Sequence, residues 1–181
     1  MKTDLPKVKI SNITLREITI DDYLDLYECG KNPKMCQTLN WGPFNRLFEA
    51  KYVIQEIYLK RPLDGIPVGY AIIYDDKMIG MVDYHTYNKK DNSAEIGYFL
   101  NYDYWSLGIM TKSLKKAIEI GFSHLELDKI IIGTETTNER SLELIKRLNL
   151  KYEYSQINEY KDESHLCVYY SIYKYEFKGD D

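Results

Sequence analysis

The chain is short of several things, and each shortage removes a class of function. It has three cysteines in 181 residues, Cys29, Cys36 and Cys167, an odd number without CxxC spacing, and its histidines (His85, His124, His165) are scattered. Neither pattern makes a zinc site or a disulfide framework, so no metal is expected. No stretch approaches the ~20 consecutive apolar residues of a membrane span. Met1 is followed by KTDLPKVKISN, which lacks the apolar core of a secretory leader. A cytoplasmic protein without a membrane partner is expected. Excess positive charge is also missing: the formal net charge is −4, which argues against direct binding of nucleic acid. Repeats and low-complexity linkers are absent as well, and the acidic end Gly179-Asp180-Asp181 reads as frayed.

What is present suits one domain spanning residues 1–181. The hydrophobic fraction is 44% and the charged fraction 29%, enough apolar material for a sizeable core. Eighteen tyrosines are the compositional oddity. Most fall on strand-like segments, Tyr84, Tyr98, Tyr154 and Tyr169 among them, and read as structural rings whose hydroxyls reach a partner at the sheet's rim.

Ile13 to Ile18 is rich in β-branched residues and reads as a first strand. A helix follows from a cap at Thr19 or Asp21 to a stop at Gly30, and a second runs from about Arg46 to Lys60. From Val68 the period becomes strand-like: VGYAIIYD, a turn at Asp75-Asp76-Lys77, then KMIGMVDYHTY, a hairpin signal. The polar turn NKKDNS delivers the chain into the strand around Glu95, where Ala94, Ile96, Tyr98 and Leu100 share one face and Glu95, Gly97 and Phe99 the other.

The loop Trp105-Ser106-Leu107-Gly108-Ile109-Met110-Thr111 then opens a helix with Met110, Leu114, Ala117, Gly121 and Leu125 as its buried stripe. A strand entering a helix through a glycine-containing loop presents unpaired backbone N–H groups and the positive end of the helix dipole, a natural seat for a phosphate. Lys129 to Thr136 reads as a strand lying parallel to the Glu95 strand across this helical crossover. Asn138 caps a further helix ending near Leu148, with Asn149 in the left-handed position beyond it. Tyr152 to Tyr160 and Leu166 to Phe177 close the chain as two strands around the turn KDES.

The ordered run EIGYFL…YWSLGIMTKSL, a strand, NERSLELIKRLNLKYE and a closing strand at CVYYSIYK resembles the GNAT superfamily of acetyl-CoA-dependent N-acetyltransferases, and within it the ribosomal-protein N-terminal acetyltransferase branch. The likeness extends from Ile13 to Phe177. It implies an α/β (α+β) fold: a mixed, mostly antiparallel seven-stranded sheet with a central parallel pair, flanked by about four helices. It also implies acetyl-CoA as cosubstrate and an amine acceptor, either a protein N-terminus or a small amine such as a polyamine or an aminoglycoside.

By resemblance, the loop from Ser106 through Leu107, Gly108, Ile109 and Met110 to Thr111 would wrap the coenzyme A diphosphate. Met110 stands where the family has a small residue. A backbone N–H near Phe99 or Leu100 would face the developing oxyanion. Asn138 would bind the pantetheine arm, and Ser141 would serve the departing thiolate, with a tyrosine such as Tyr154 as the alternative. Glu95, facing away from Ile96 and Tyr98 beside the acetyl site, is the leading general base acting through water. Glu135 is second and Asp83 third. The acceptor pocket is expected from the loop Asn40 to Phe44, the Arg46 helix and the loop near Lys161. A noncatalytic acyl-CoA-binding sensor is the alternative from another class, followed by a bare structural domain. Exposed aromatic strand ends are compatible with a homodimer.

Overall fold

Alternating and β-branched runs pair into one sheet. The computed structural model describes residues 1–179; the frayed end read at Asp180 and Asp181 lies outside the described residues. The strands are β1 (Val8–Ile10), β2 (Ile13–Glu17), β3 (Tyr70–Tyr74), β4 (Lys77–Asn88), β5 (Ser93–Leu100), β6 (Lys129–Glu135), β7 (Lys151–Tyr160) and β8 (Glu163–Tyr173). They lie in the order β1-β2-β3-β4-β5-β6-β8-β7, and only β5 and β6 run parallel. The mixed, mostly antiparallel sheet with one parallel pair is the architecture expected.

The eighth strand, β1, is an addition to the seven read from sequence. Three residues carry too little alternation to signal a strand, yet Val8 to Ile10 pairs with Leu15 to Ile13 across a turn holding Ser11 at φ 57°. The other turns follow their residue types. Asp75 and Asp76 both take positive φ (48° and 60°), as do Lys161 and Asp162 (52° and 59°), which is the geometry of two-residue hairpin turns. The second turn is tighter than KDES suggests, so β8 starts at Glu163 and ends at Tyr173.

The helices are α1 (Tyr23–Gly30), α2 (Pro33–Cys36), α3 (Leu47–Val53), α4 (Ile109–Ser123) and α5 (Glu139–Arg147). Thr19 is the N-cap of a 3-10 turn, Ile20–Asp22, that leads directly into α1, and the Asp22 carboxylate turns back to accept the Thr19 N–H at 2.8 Å; Asp21 lies inside that turn. The helix expected from Arg46 to Lys60 is α3 followed by a π-helical turn, Ile54–Tyr58. Among the described residues no helix is long and apolar enough to cross a membrane, and the three cysteines are free and buried.

Two apolar clusters sandwich the sheet. One, with Ile96, Leu100, Ile130 and Ile132, lies against α4 and α5; the other, with Phe99, Met81 and Ala71, lies against α1 and α3. The former positions the cleft described below. Tyr84 donates its hydroxyl to the Ala117 carbonyl at 2.5 Å, inside the core. One turn on, a Cβ at Gly121 would stand 2.7 Å from Ile130 Cδ1. Any larger residue would have to displace Ile130 and Tyr84, so the glycine lets α4 lie close to β4 and β6.

Candidate functional site

The parallel ladder between β5 and β6 is short. It joins Ser93, Ala94 and Glu95 to Lys129, Ile130 and Ile131 and then stops, while β5 stays paired with β4 as far as Leu100. From Ile96 onward the β6 side of β5 is therefore an unpaired edge. The Asn101 N–H donates to the Ile79 carbonyl of β4 at 2.7 Å. Alternation then turns the backbone groups of Phe99 toward β4 and those of Tyr98 and Leu100 toward the opening. Of the two oxyanion candidates, Leu100 has the N–H on the open edge.

A cavity of about 680 Å³ occupies this opening. Its walls come from the ends of β5, α4 and α5 and from the loop after α2: Tyr98 and Leu100, then Ser106, Gly108, Met110 and Thr111, then Asn138 and Ser141, then Thr38. Leu107 is exposed and Ile109 is buried in the core, so neither side chain lines the cavity. Gly108 takes φ 72° as N-cap of α4 and brings no side-chain cap. A Cβ there would meet nothing within 4 Å, so the glycine is required by its left-handed backbone and leaves the helix's first N–H groups open to a ligand. Met110 is partly buried against the core cluster and lines the cavity too.

Asn138 caps α5 by accepting the Ser141 N–H at 3.2 Å, and its amide donates to Thr38 Oγ1 at 2.9 Å. Ser141 is buried at 7% exposure, and its Oγ lies 2.7 Å from the Tyr98 hydroxyl. Burial pushes the Tyr98 phenol up to about 12, against a smaller opposing effect of the Ser141 hydrogen bond. Trp105 closes the rim: its Nε1 donates to the Leu100 carbonyl at 2.7 Å, and the Arg140 guanidinium lies 4.6 Å over its ring.

The three carboxylate candidates lie on the other face of the sheet and outside this cavity's walls. Asp83 is buried and paired with Arg61. Glu95 lies 3.7 Å from His85 Nδ1; burial raises its pKa and His85 opposes that rise. Glu135 accepts from the Tyr160 hydroxyl at 2.5 Å and the Thr137 hydroxyl at 3.0 Å. Burial raises its pKa, but these bonds and His165 outweigh it and the net direction is down.

Tyr154 stacks on Tyr169 with centroids 4.5 Å apart, on β7, and does not line the cavity. The tyrosine that the fold brings to Ser141 is Tyr98, which a reading of most strand tyrosines as structural, with Tyr154 as the exception, passes over. Its signal was its place in EIGYFL, one residue pair before the strand runs into the loop. Thr38 carries no comparable signal. On the expected acceptor side, Lys161 Nζ donates to the Cys36 carbonyl at 2.8 Å, and Trp41 stacks on Phe44 and meets Phe99 edge-on.

Fold and cleft define an acetyltransferase of the GNAT type. The acetyltransferase (GNAT) domain family matches residues 12–151, and the chain belongs to that family of N-acetyltransferases. It is 28% identical over 171 residues to p20 of Bacillus licheniformis, described as an uncharacterized N-acetyltransferase, with 92% of this chain and 96% of that one covered. It is 21% identical to the spermidine N(1)-acetyltransferase of Escherichia coli K12 over 92% of this chain and 91% of that one. Among solved structures, RimL, a ribosomal L7/L12 alpha-N-protein acetyltransferase in complex with coenzyme A, superposes with a TM-score of 0.81 at 19% identity, covering 93% of this chain and 98% of that one.

Proposed function

We propose that this protein moves an acetyl group from acetyl-CoA to a primary amine, with a protein N-terminus as the leading acceptor. The observation that carries the reading is a cavity bounded by a helix N-terminus without a side-chain cap, an unpaired strand edge and the Tyr98–Ser141 hydroxyl pair. When bound there, acetyl-CoA supplies the activated acetyl thioester. The amides of Ser106 to Thr111, with the dipole of α4, suit its diphosphate, and Asn138 suits the amides of its pantetheine arm. The Leu100 N–H, on the unpaired edge, would hydrogen-bond the carbonyl oxygen of the thioester, where a preorganised donor is worth roughly 2.7–4 kcal/mol at the transition state.

Glu95 takes the proton that the acceptor ammonium must lose, through water. A base works best near the operating pH, and the raised pKa of Glu95 suits that better than the lowered one of Glu135. Ser141 Oγ–H serves the departing sulfur. A second reading, a polyamine acceptor, is favoured by Asp83, Glu95 and Glu135 sharing the sheet face away from α4 and α5. A noncatalytic sensor is distinguished by binding without turnover.

The test is titration with acetyl-CoA by calorimetry, then thiol release with peptides beginning in alanine or serine, with spermidine and with aminoglycosides. Binding with release on peptides is expected. Release on spermidine alone moves the acceptor to a polyamine, and no binding overturns the reading.

A further inference from the structure

The Tyr98 hydroxyl has no role in the chemistry above, yet it touches the hydroxyl of buried Ser141 inside the cavity, 2.7 Å away. Both belong to the cavity wall, and both are fixed from behind. Tyr98 is held by β5, whose pairing with β4 continues through it (Tyr98 with Val82). Ser141 is held by its N–H bond to the Asn138 cap, which is in turn tied to Thr38. A serine hydroxyl turns freely about its Cα–Cβ bond unless something orients it, and a hydrogen bond to a rigid ring does so at little entropic cost.

We propose that Tyr98 is the positioning residue for Ser141, setting the direction of its Oγ–H and passing a proton through it to the departing thiolate. This rests on the acetyltransferase reading. As the amine nitrogen bonds to the acetyl carbon and the C–S bond breaks, the electron pair goes to sulfur. Sulfur takes the Ser141 Oγ proton, and Ser141 Oγ takes the Tyr98 phenolic proton. Water returns a proton to the phenolate, and the hydroxide so formed is neutralised by the proton that Glu95 took from the ammonium, so the protons balance. Both hydroxyls carry a proton at neutral pH and either can donate in the resting pair; the relay runs through the arrangement in which Tyr98 donates to Ser141 Oγ, leaving the Ser141 proton free for sulfur. The charged groups around the same cavity all come from α5: Arg140 and Arg147 favour a transient phenolate, and Glu139 and Glu143 oppose it.

The test combines Tyr98→Phe, Ser141→Ala and the double variant in the full chain with a 3-fluorotyrosine at position 98. Tyr98→Phe is expected to lower kcat roughly ten- to a hundredfold, with acetyl-CoA affinity within about twofold of wild type. The double variant should be no slower than Ser141→Ala, because one residue acts through the other. Without any ligand, the 19F resonance of the fluorotyrosine should move when Ser141 becomes alanine; this readout survives even if Tyr98→Phe folds poorly. A wild-type kcat in Tyr98→Phe, multiplicative losses in the double variant, or an unmoved 19F resonance would each overturn the proposal. Wild-type protein that binds acetyl-CoA but releases no thiol on any amine overturns the acetyltransferase reading and this relay with it, a result distinguishable by arising before any substitution is made.

Discussion

Glu95 and Glu135 sit on neighbouring parallel strands and project from the same face of the sheet, yet the fold treats them in opposite ways. Around Glu135, Tyr160 of the β7–β8 hairpin and Thr137 of the turn after β6 bond the carboxylate, and His165 of the hairpin lies 3.5 Å away. Around Glu95 the strands supply burial and one histidine at 3.7 Å. A carboxylate that accepts two hydroxyls is stabilised as an anion, and one that is desolvated without donors is held toward its neutral form. Residue type and strand face are shared; the neighbouring hairpin makes the difference. A group already satisfied is a structural anchor, whereas an unsatisfied one can do work on a substrate.

The most severe way to break this comparison is to stop the acetyl group reaching it. Gly108→Glu puts a side chain on a backbone at φ 72° and an anion at the N-terminus of α4, so acetyl-CoA affinity should fall at least about a hundredfold by calorimetry. Next comes Glu95→Gln, expected to reduce kcat by roughly 10²–10⁴ at saturating amine, while Glu135→Gln costs less than about tenfold. Equal losses in both would dissolve the distinction.

Acidity sharpens it. The kcat profile should show an acidic limb above the ordinary carboxylate range, set by the raised pKa of Glu95, and the limb should vanish in Glu95→Gln. The smallest effect is on stability. Glu135, with its pKa lowered in the fold, contributes stability at neutral pH that is lost as pH falls from the ordinary carboxylate range through its folded value. Glu95 does the reverse: its contribution is most favourable at low pH and declines as pH rises through its raised value. Thermal unfolding at neutral pH should therefore show Glu135→Gln destabilised by about 1 kcal/mol, and Glu95→Gln unchanged or slightly stabilised.

Much of the scaffold was legible because its signals are local. Alternation along Ala94 to Leu100 assigned the two faces of β5 that the core clusters now show. Asn138 as cap and Asn149 at φ 58° followed from what short polar side chains do at helix ends. Gly108 and the paired aspartates of the β3–β4 turn were legible for the same reason. Short pieces were not: β1 and α2 hold three and four residues, too few for a period to repeat, and they exist through partners already in place.

By itself the sequence determined the order of the longer strands and helices, the parallel crossover and the loop that opens α4, because each depends on neighbours a few residues apart. Tertiary structure alone decided where the β5–β6 ladder stops, since that depends on how two strands diverge across a helix. It decided that Tyr98, 43 residues from Ser141, is the tyrosine that meets it, and that Thr38, 100 residues from Asn138, anchors the cap. The unequal acidities of Glu95 and Glu135 belong with these. Hydrogen bonding and desolvation act over a few ångströms, and only the folded chain determines which distant residues come that close.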